Sequence, residues 1–465
     1  MEKLDVSVII PVYNKMEQLE RSLYFIANQV IDTDIKMEVV VIDDGSSQPV
    51  KDIIDDYAGL ITNLKYLYLE RDKRSCRSRT RNVGIQESSG KVLVFLDCGI
   101  VVPAFFIERV VARIGNDTNK VLFHYVMGAF VDPEQEDMSM IQDIHPSNLA
   151  DICEQLRYHP SWEDMRTSHF ELVDHDLNRM DIPWSMGWGG AVTASRDIVL
   201  KAGGFDETLK GWGAEDTDFA YQLHKHGASM YATADICTLH LPHPSDNNMD
   251  QKIKSSYLNR KKMHMKHRTF DTEIYPYSAD LHFDLIMSKF NRLIMHYYIP
   301  AYSSKLLQFL NHEYLQGTTR SAVIGADSRA VLSSLEVSHV FLQNKRLLDR
   351  YEQEWPDKEF VYLLGLDTLY PSKQFDVIIV TDYFRMFSEP LISIMLKELY
   401  RISKKVVFLY NETYVSYLAT TAGWTWHSLE EMNQLFGRSQ LMSHTERQVE
   451  DCKVFEVGKA VTVLV

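Results

Sequence analysis

The sequence predicts an α/β protein: a mainly parallel sheet with helices on both faces, then a helical connector, then a second, Rossmann-like α/β domain. Three observations carry this. Apolar, β-branched runs alternate with helical stretches through the first 120 residues, acids and turn residues recur at the ends of those runs, and the alternation resumes after residue 318. Runs that are apolar along their whole length need cover on both faces, which helices crossing between parallel strands provide. The boundaries are expected at 1–265 for the first domain, 266–317 for the connector and 318–465 for the second domain.

Taken in order, Val6-Ser7-Val8-Ile9-Ile10 is a strand ended by Pro11, and an amphipathic helix over 15–28 follows. Met37-Glu38-Val39-Val40-Val41-Ile42 is a second buried strand, closing on Asp43-Asp44-Gly45-Ser46-Ser47. Residues 64–69 read as a third strand and 92–96 as a fourth, with a helix over 76–88 between them. In such sheets ligands bind at the carboxyl ends of the strands, so Pro11, Tyr13, Asn14, Asp43, Asp44 and Asp97 are expected to line one crevice. Residues 121–183 show few periodic runs. Pro183-Trp184-Ser185-Met186-Gly187-Trp188-Gly189-Gly190 suggests a close backbone approach to a ligand, because glycine lets the chain pass at contact distance. Gly203-Gly204-Phe205-Asp206 reads as a turn.

The stretch Gly211-Trp212-Gly213-Ala214-Glu215-Asp216-Thr217-Asp218 sets three acids ahead of the helix-like run Phe219-Ala220-Tyr221-Gln222-Leu223. Carboxylates there face the unpaired N–H groups of a first helical turn, which keep them ionised and aimed. That is what a general base must be. An acidic cap on a surface helix is the plainer alternative. Residues 252–268 are basic and helix-prone, a solvated face or a closing element over phosphates, and 281–315 form two amphipathic segments interrupted at Pro300.

The chain has 465 residues, 45% apolar and 24% charged, within the ordinary soluble range. Its net charge of −15 argues against nucleic acid or an anionic membrane as the main partner, since phosphate binding needs a positive excess. The five cysteines are scattered and lack CxxC spacing, as for reduced thiols and not a disulfide framework or a zinc site. No secretory signal precedes the first strand, and no apolar stretch reaches the roughly 18–20 residues that span a bilayer. A cytoplasmic protein without transmembrane segments is expected.

Val8-Ile9-Ile10-Pro11-Val12-Tyr13-Asn14, Val41-Ile42-Asp43-Asp44-Gly45-Ser46, Arg81-Asn82-Val83-Gly84-Ile85, Phe95-Leu96-Asp97, Trp188-Gly189-Gly190, Gly203-Gly204-Phe205-Asp206-Glu207 and Gly211-Trp212-Gly213-Ala214-Glu215-Asp216 follow one another in order. Over about residues 5–245 they resemble inverting glycosyltransferases of the GT-A fold, family 2 type. The last block is most similar to chondroitin and hyaluronan-type polymerases and to β-1,4-galactosyltransferases. The resemblance implies a UDP-sugar donor bordered by Pro11, Tyr13 and Asn14, with Asp43 and Asp44 bonding base or ribose. Arg77 and Arg81 would meet the diphosphate, while Asp97, Gly189, Gly190 and Trp212 complete the donor site. Asp216 would be the base and Glu215 would orient the acceptor or the base; Asp218 is expected to face solvent or cap the helix. Residues 121–183 would carry acceptor-side loops.

The resemblance also implies a divalent cation, Mn²⁺ or Mg²⁺, held by an Asp-x-Asp pair. Here the triplet is Asp97-Cys98-Gly99, so the second carboxylate is missing. A hard cation needs oxygen donors, and glycine offers none from a side chain. The expected compensation is Asp97 with His240, His243 standing second, in the segment Thr238-Leu239-His240-Leu241-Pro242-His243-Pro244.

Past residue 318, Ala322-Val323-Ile324-Gly325-Ala326-Asp327, residues 337–342, residues 360–364 and Phe375-Asp376-Val377-Ile378-Ile379-Val380 read as strands and loops. A helix over 390–401 and a strand over 405–410 complete an alternation that resembles S-adenosylmethionine-dependent methyltransferases. Its cofactor signature is worn: one glycine, Gly325, in the first loop, and Gln343-Asn344 where a ribose-binding acid would stand, with Asp367 left on the adenine side. S-adenosylmethionine is therefore not expected, and the domain is read as a scaffold for acceptor, partner or a homodimer mate. The leading expectation is an inverting transferase moving a sugar from a UDP-sugar to a hydroxyl or thiol acceptor, in polysaccharide or glycoconjugate synthesis. The alternatives are a transferase modifying a peptide or natural product, and a non-catalytic sugar-nucleotide-binding subunit.

Overall fold

The computed structural model describes residues 4–31, 34–188, 190–243, 248–278, 283–296, 302–412, 427–438 and 442–459. Two compact units emerge, one formed by residues 1–263 with 279–284, the other by 264–278 with 285–465. Of the stretch read as a connector, residues 266–278 and 285–317 thus fall in the second unit; Pro300 lies outside the described residues.

The first unit is built on β1 (Val6–Val12), β2 (Met37–Asp43), β3 (Leu64–Tyr68), β4 (Val92–Leu96), β5 (Ile100–Val101), β6 (Lys120–Met127), β7 (Ala191–Ser195) and β8 (Ser229–His240), in the order β3-β2-β1-β4-β7-β6-β8-β5. β1 to β4 run parallel, β7 is antiparallel to β4 and β6, and β8 pairs parallel with β6. β1, β2 and β4 are buried nearly throughout, as their apolar sequences require. β1 runs on through Pro11 to Val12 instead of ending there. Its ladder with β4 stops at Ile9, so the proline lies beyond it. The helix Met16–Ala27 buries Leu19, Leu23 and Ile26 at helical spacing on this sheet, and Arg77–Glu87 packs so tightly on β1 that a Cβ at Gly84 would sit 2.4 Å from Ile9.

Residues 121–183 are less irregular than their sequence suggests, because β6 is buried along nearly all its length. Its central His124 hid the strand. The ring is fully buried between the hydroxyls of Thr233 (2.9 Å) and Thr193 (2.8 Å), and burial, reinforced by Arg166, lowers its pKa to about 3, so it packs as a neutral residue.

The second unit holds β9 (Ser321–Ile324), β10 (His339–Phe341), β11 (Glu359–Val361), β12 (Phe375–Val380), β13 (Ser403–Asn411), β14 (Met442–Val449) and β15 (Cys452–Lys459), ordered β11-β10-β9-β12-β13-β15-β14. β9 to β13 are parallel, and the β14–β15 hairpin adds antiparallel to β13. Its own core gathers Val323, Val340, Val377, Ile379, Val407 and Leu409. Glu273 is buried here. Its carboxylate receives the backbone N–H groups of Leu364, Gly365, Leu366 and Asp367.

Candidate active site

Sheet register brings the site together. β7 starts opposite the end of β4, Ala191 facing Leu96, so Gly190 arrives beside Asp97 and its carbonyl accepts the Asp97 N–H at 2.7 Å. A Cβ at Gly190 would stand 3.0 Å from Ile100 and 3.1 Å from Asp97, so the close approach predicted at this glycine is to the protein's own turn. β8 ends with His240 opposite Ile100. Gly189 lies outside the described residues.

The acids sit on the first turn of the helix Glu215–Lys225. Ala214 caps that helix in the left-handed region, φ 68°, a conformation rare for a residue with a side chain and worth noting beside reactive groups. Gly211 and Gly213 are also left-handed, and a Cβ on them would press to 2.4 Å from Ser255 Oγ and 2.8 Å from Ser256 Cβ. Both serines belong to the helix Met249–His267. Its Asn259 amide donates to the carbonyls of Lys210 (3.0 Å) and Gly213 (2.9 Å), and Ser255 Oγ takes the Trp212 N–H at 3.0 Å. The glycines therefore let this loop lie flat on a helix, and Trp212 is left 39% exposed at the rim.

Arg81 stands between the acids. Its Nη2 donates to Asp97 Oδ1 at 2.7 Å, and its Nη1 is 3.1 Å from Asp216 Oδ1, close but out of line for a hydrogen bond. Burial alone would push the guanidinium down, but Asp216, Asp97 and Glu215 outweigh it and hold it above its ordinary value. Asp216 moves the other way: burial raises its pKa, Arg81 opposes, and Glu215 and Asp97 add repulsion, bringing it up to about 7. Arg77, half exposed, donates to the Gly211 carbonyl at 3.1 Å and lies 3.6 Å from Glu215. In this structure Arg81, expected at a diphosphate, is thus committed to two carboxylates, while Arg77 keeps an exposed face. Asp218 does not face solvent: it is fully buried on the first turn of the helix. A small cleft opens here between Arg81, Asp97, Gly190 and Asp216, with Phe95, Phe205 and Phe219 among its walls.

At the other end of the crevice the two acids after β2 differ. Asp43 spends both oxygens on the fold, accepting Ser46 N–H (2.8 Å) and Tyr66 O–H (2.9 Å). Asp44 is tied through Oδ2 to Arg71 at 3.0 Å, while its Oδ1 is buried without a hydrogen bond. Burial, outweighing Ser75 and nearby arginines, raises its pKa. Asn14, left-handed at φ 49°, ties the two loops by accepting Ser47 N–H at 2.8 Å. Tyr13 is exposed, with the Arg71 guanidinium 3.8 Å from its ring centre. Only Asp44 and Tyr13 of this group present surplus bonding capacity or area.

Two candidate metal donors remain, Asp97 and His240. Burial, helped by His243, brings the His240 pKa down to about 4, so the ring is neutral, and its Nδ1 is buried without a partner. A neutral imidazole with an orphaned nitrogen is what a cation requires. His243 lies 5.1 Å away between ring centres, its Nδ1 on the Leu241 carbonyl. Gly99 is at φ 99°, so the second acid is absent from a turn built for glycine. Among the described residues no three His, Cys, Asp or Glu side chains gather as a complete metal cage.

Sequence reasoning gave no role to Arg71, Asn82, Arg166, Ser255 or Asn259. Asn82 holds the Gly203-Gly204-Phe205 turn through Phe205 N–H and carbonyl, both at 2.9 Å; Arg166, buried, fixes the Met186 and Trp188 carbonyls and pairs with Asp164 at 2.7 Å. These residues act by holding loop carbonyls, and only the folded loops show which ones.

A mainly parallel sheet thus gathers at its strand ends a small cleft, a raised carboxyl and a candidate cation pair. Residues 7–165 match the Glycosyl transferase family 2 profile, and residues 172–241 match the profile described as the N-terminal domain of galactosyltransferase. Glycosyltransferase AglE of Haloferax volcanii is 37% identical over 218 residues, 44% of this chain and 69% of that protein. The chain belongs to glycosyltransferase family 2, and its first unit has the GT-A fold. It is also similar to validoxylamine A glucosyltransferase of Streptomyces hygroscopicus subsp. jinggangensis, 28% identical over 418 residues, 86% of this chain and 96% of that protein. Chondroitin synthase of Escherichia coli is 26% identical over 252 residues, 52% of this chain and 35% of that protein.

Proposed function

We propose that the chain is an inverting transferase moving a hexosyl or N-acetylhexosaminyl group from a UDP-sugar to an acceptor hydroxyl. The observation that carries this reading is Asp216, a carboxyl on a helix first turn at the mouth of the cleft, with proton affinity near neutrality. A base of that strength suits proton removal at physiological pH. As the acceptor oxygen forms its bond to the anomeric carbon, Asp216 takes its proton. The bond from that carbon to the diphosphate breaks on the opposite face, the electron pair leaving with UDP, and the configuration inverts. Arg81 balances Asp216 and Asp97 before the donor arrives, and Glu215 orients the acceptor.

On the donor side, Asp44 Oδ1 is the acceptor free for a uracil N–H or a ribose hydroxyl, with Tyr13 beside the base. Asp97 and His240 are the residues that would hold a divalent cation. Bound there, Mn²⁺ or Mg²⁺ would neutralise charge on the leaving diphosphate; a mixed carboxylate and imidazole pair favours manganese.

For the acceptor, a natural product is favoured over a polysaccharide. The similarity to validoxylamine A glucosyltransferase runs along nearly the whole chain, including the second unit, whereas that to chondroitin synthase covers about half of it. The reading of the second unit as a worn methyltransferase-like scaffold, for acceptor, partner or a second copy, is supported by its doubly wound strand order 3-2-1-4-5 before the hairpin. A non-catalytic subunit is the competing reading, motivated by Gly99.

The test is transfer from a panel of UDP-sugars to validoxylamine A and to sugar acceptors with Mn²⁺ or Mg²⁺, the product anomer read by NMR. An inverted product from wild type, absent with Asp216→Asn, supports the proposal. No turnover of any donor by wild type would favour the binding subunit, and a retained anomer would overturn the mechanism.

A further inference from the structure

The helix Met249–His267 carries a face that the transferase site does not use. Over residues 249–263, which belong to the first unit, Ser256, Asn259 and Met263 turn inward and are buried, while Ser255 and Asn259 hold the loop of Trp212. Met249, Ile253 and Tyr257, spaced four apart, and Leu258 beside them turn outward. They are 61%, 59%, 41% and 49% exposed. One large apolar side chain at a surface is ordinary, but four within three turns of a single helix form a patch that water solvates poorly.

Cations are set among these side chains. The same residues include Lys252, Lys254, Arg260, Lys261 and Lys262 against one acid, Asp250. Lys254 is exposed one turn before Leu258, and the Lys261 ammonium lies 5.9 Å from the centre of the Tyr257 ring. In the loop that Asn259 holds, Lys210 donates to the Lys73 carbonyl, which brings the exposed Lys73 and Arg74 to the edge of the same surface. The net charge of −15 disfavours an anionic surface as partner for the chain as a whole, so this face is a local reversal of sign. Its chemistry selects the partner. Nucleic acid would use the lysines but bury none of the aliphatic groups, and the cores of protein interfaces are depleted in lysine and enriched in arginine and tryptophan. An anionic bilayer surface takes both kinds of side chain. Lysine stems lie along apolar neighbours while their ammonium groups reach lipid phosphates, aliphatic groups enter the acyl boundary, and tyrosine stays at the level of the head groups.

We propose that this face docks the chain onto an anionic membrane surface, with Met249, Ile253, Tyr257 and Leu258 entering the head-group region and Lys254 and Lys261 meeting lipid phosphates. The helix is not long and apolar enough to cross a bilayer, so the attachment is peripheral. Because Ser255 and Asn259 of the same helix hold the Trp212 loop, docking sets the rim of the cleft beside the membrane. The attachment does not depend on the mechanism proposed for the cleft.

The test is co-sedimentation of the full chain with vesicles of phosphatidylcholine alone and of phosphatidylcholine with about one third phosphatidylglycerol. Binding to the anionic vesicles and not to the neutral ones is expected, weaker as salt is raised. It should fall about tenfold with Lys73→Glu and Lys254→Glu together, and about as much with Ile253→Ser and Leu258→Ser together. All four side chains are exposed, so thermal unfolding of both double variants should match wild type, and either one decides the matter if the other is unfolded. Sedimentation velocity reads the other occupant of an apolar face. A wild-type dimer that becomes monomeric with Ile253→Ser and Leu258→Ser, without vesicle binding, would assign the face to a second copy and overturn the proposal. No binding to anionic vesicles, equal binding to neutral ones, or binding that both double variants keep would overturn it as well.

Discussion

At the scale of single residues, the site turns on how Asp97 and Asp216 share the Arg81 guanidinium. Asp216 carries a pKa raised to about 7, so the proposed base is ionised only above that pH. The rate of transfer under kcat/KM conditions should therefore rise with pH through a limb near 7. Asp216→Asn should lower kcat by about 10²–10⁴-fold and remove that limb, measured by steady-state UDP release across pH. The sign for stability follows from the same shift. A carboxyl with a raised folded pKa stabilises the fold while protonated, below its unfolded pKa near 3.8, and loses that contribution as pH rises through about 7. Asp216→Asn should then match wild type in acid and melt higher above pH 7. The pair after β2 gives a second prediction. Asp44→Asn, which alters the unoccupied Oδ1, should raise KM for the donor, while Asp43→Asn, which loses acceptor capacity from the loop, should lower the urea midpoint by an amount worth about 1–3 kcal/mol. Both acids look alike in the sequence. Only their partners tell them apart.

At the scale of elements, the loop carrying Trp212 is shaped by the helix Met249–His267, not by the residues next to it in the chain. Gly213 is at φ 93° with Ser256 against it, so Gly213→Ala should destabilise by about 2 kcal/mol or more in chemical denaturation, from backbone strain together with the clash. Asn259→Ala removes two bonds to the loop and should reduce kcat while leaving donor binding, followed by calorimetry with UDP, nearly unchanged. The glycines and acids of this segment were legible because those residue types are constrained there. The basic helix was legible as a helix, but its hold on the loop through Ser255 and Asn259 was not, since neither residue differs in kind from those on a solvated face. β6 was missed for a related reason: a buried histidine satisfied by two threonines reads as polar until its partners are known.

At the scale of the whole molecule, each unit has its own sheet and core. Chains built of such units need not unfold in one step. In scanning calorimetry Glu273→Ala, which strips four backbone N–H groups of their acceptor, should lower one transition and leave the other near its wild-type temperature. No helix among the described residues is long and apolar enough to cross a membrane. The alternation of strands and helices in both units and the acidic helix start were set by the sequence itself, because β-branched runs, turn residues and charged caps impose local geometry wherever they occur. The antiparallel additions β7, β14 and β15, the burial of Asp218, the capture of Arg81 by Asp97 and Asp216, and the difference between Asp43 and Asp44 were decided only in the folded chain. Each depends on a partner distant in sequence, and which oxygen or guanidinium is left over is known only once every competing bond has been made.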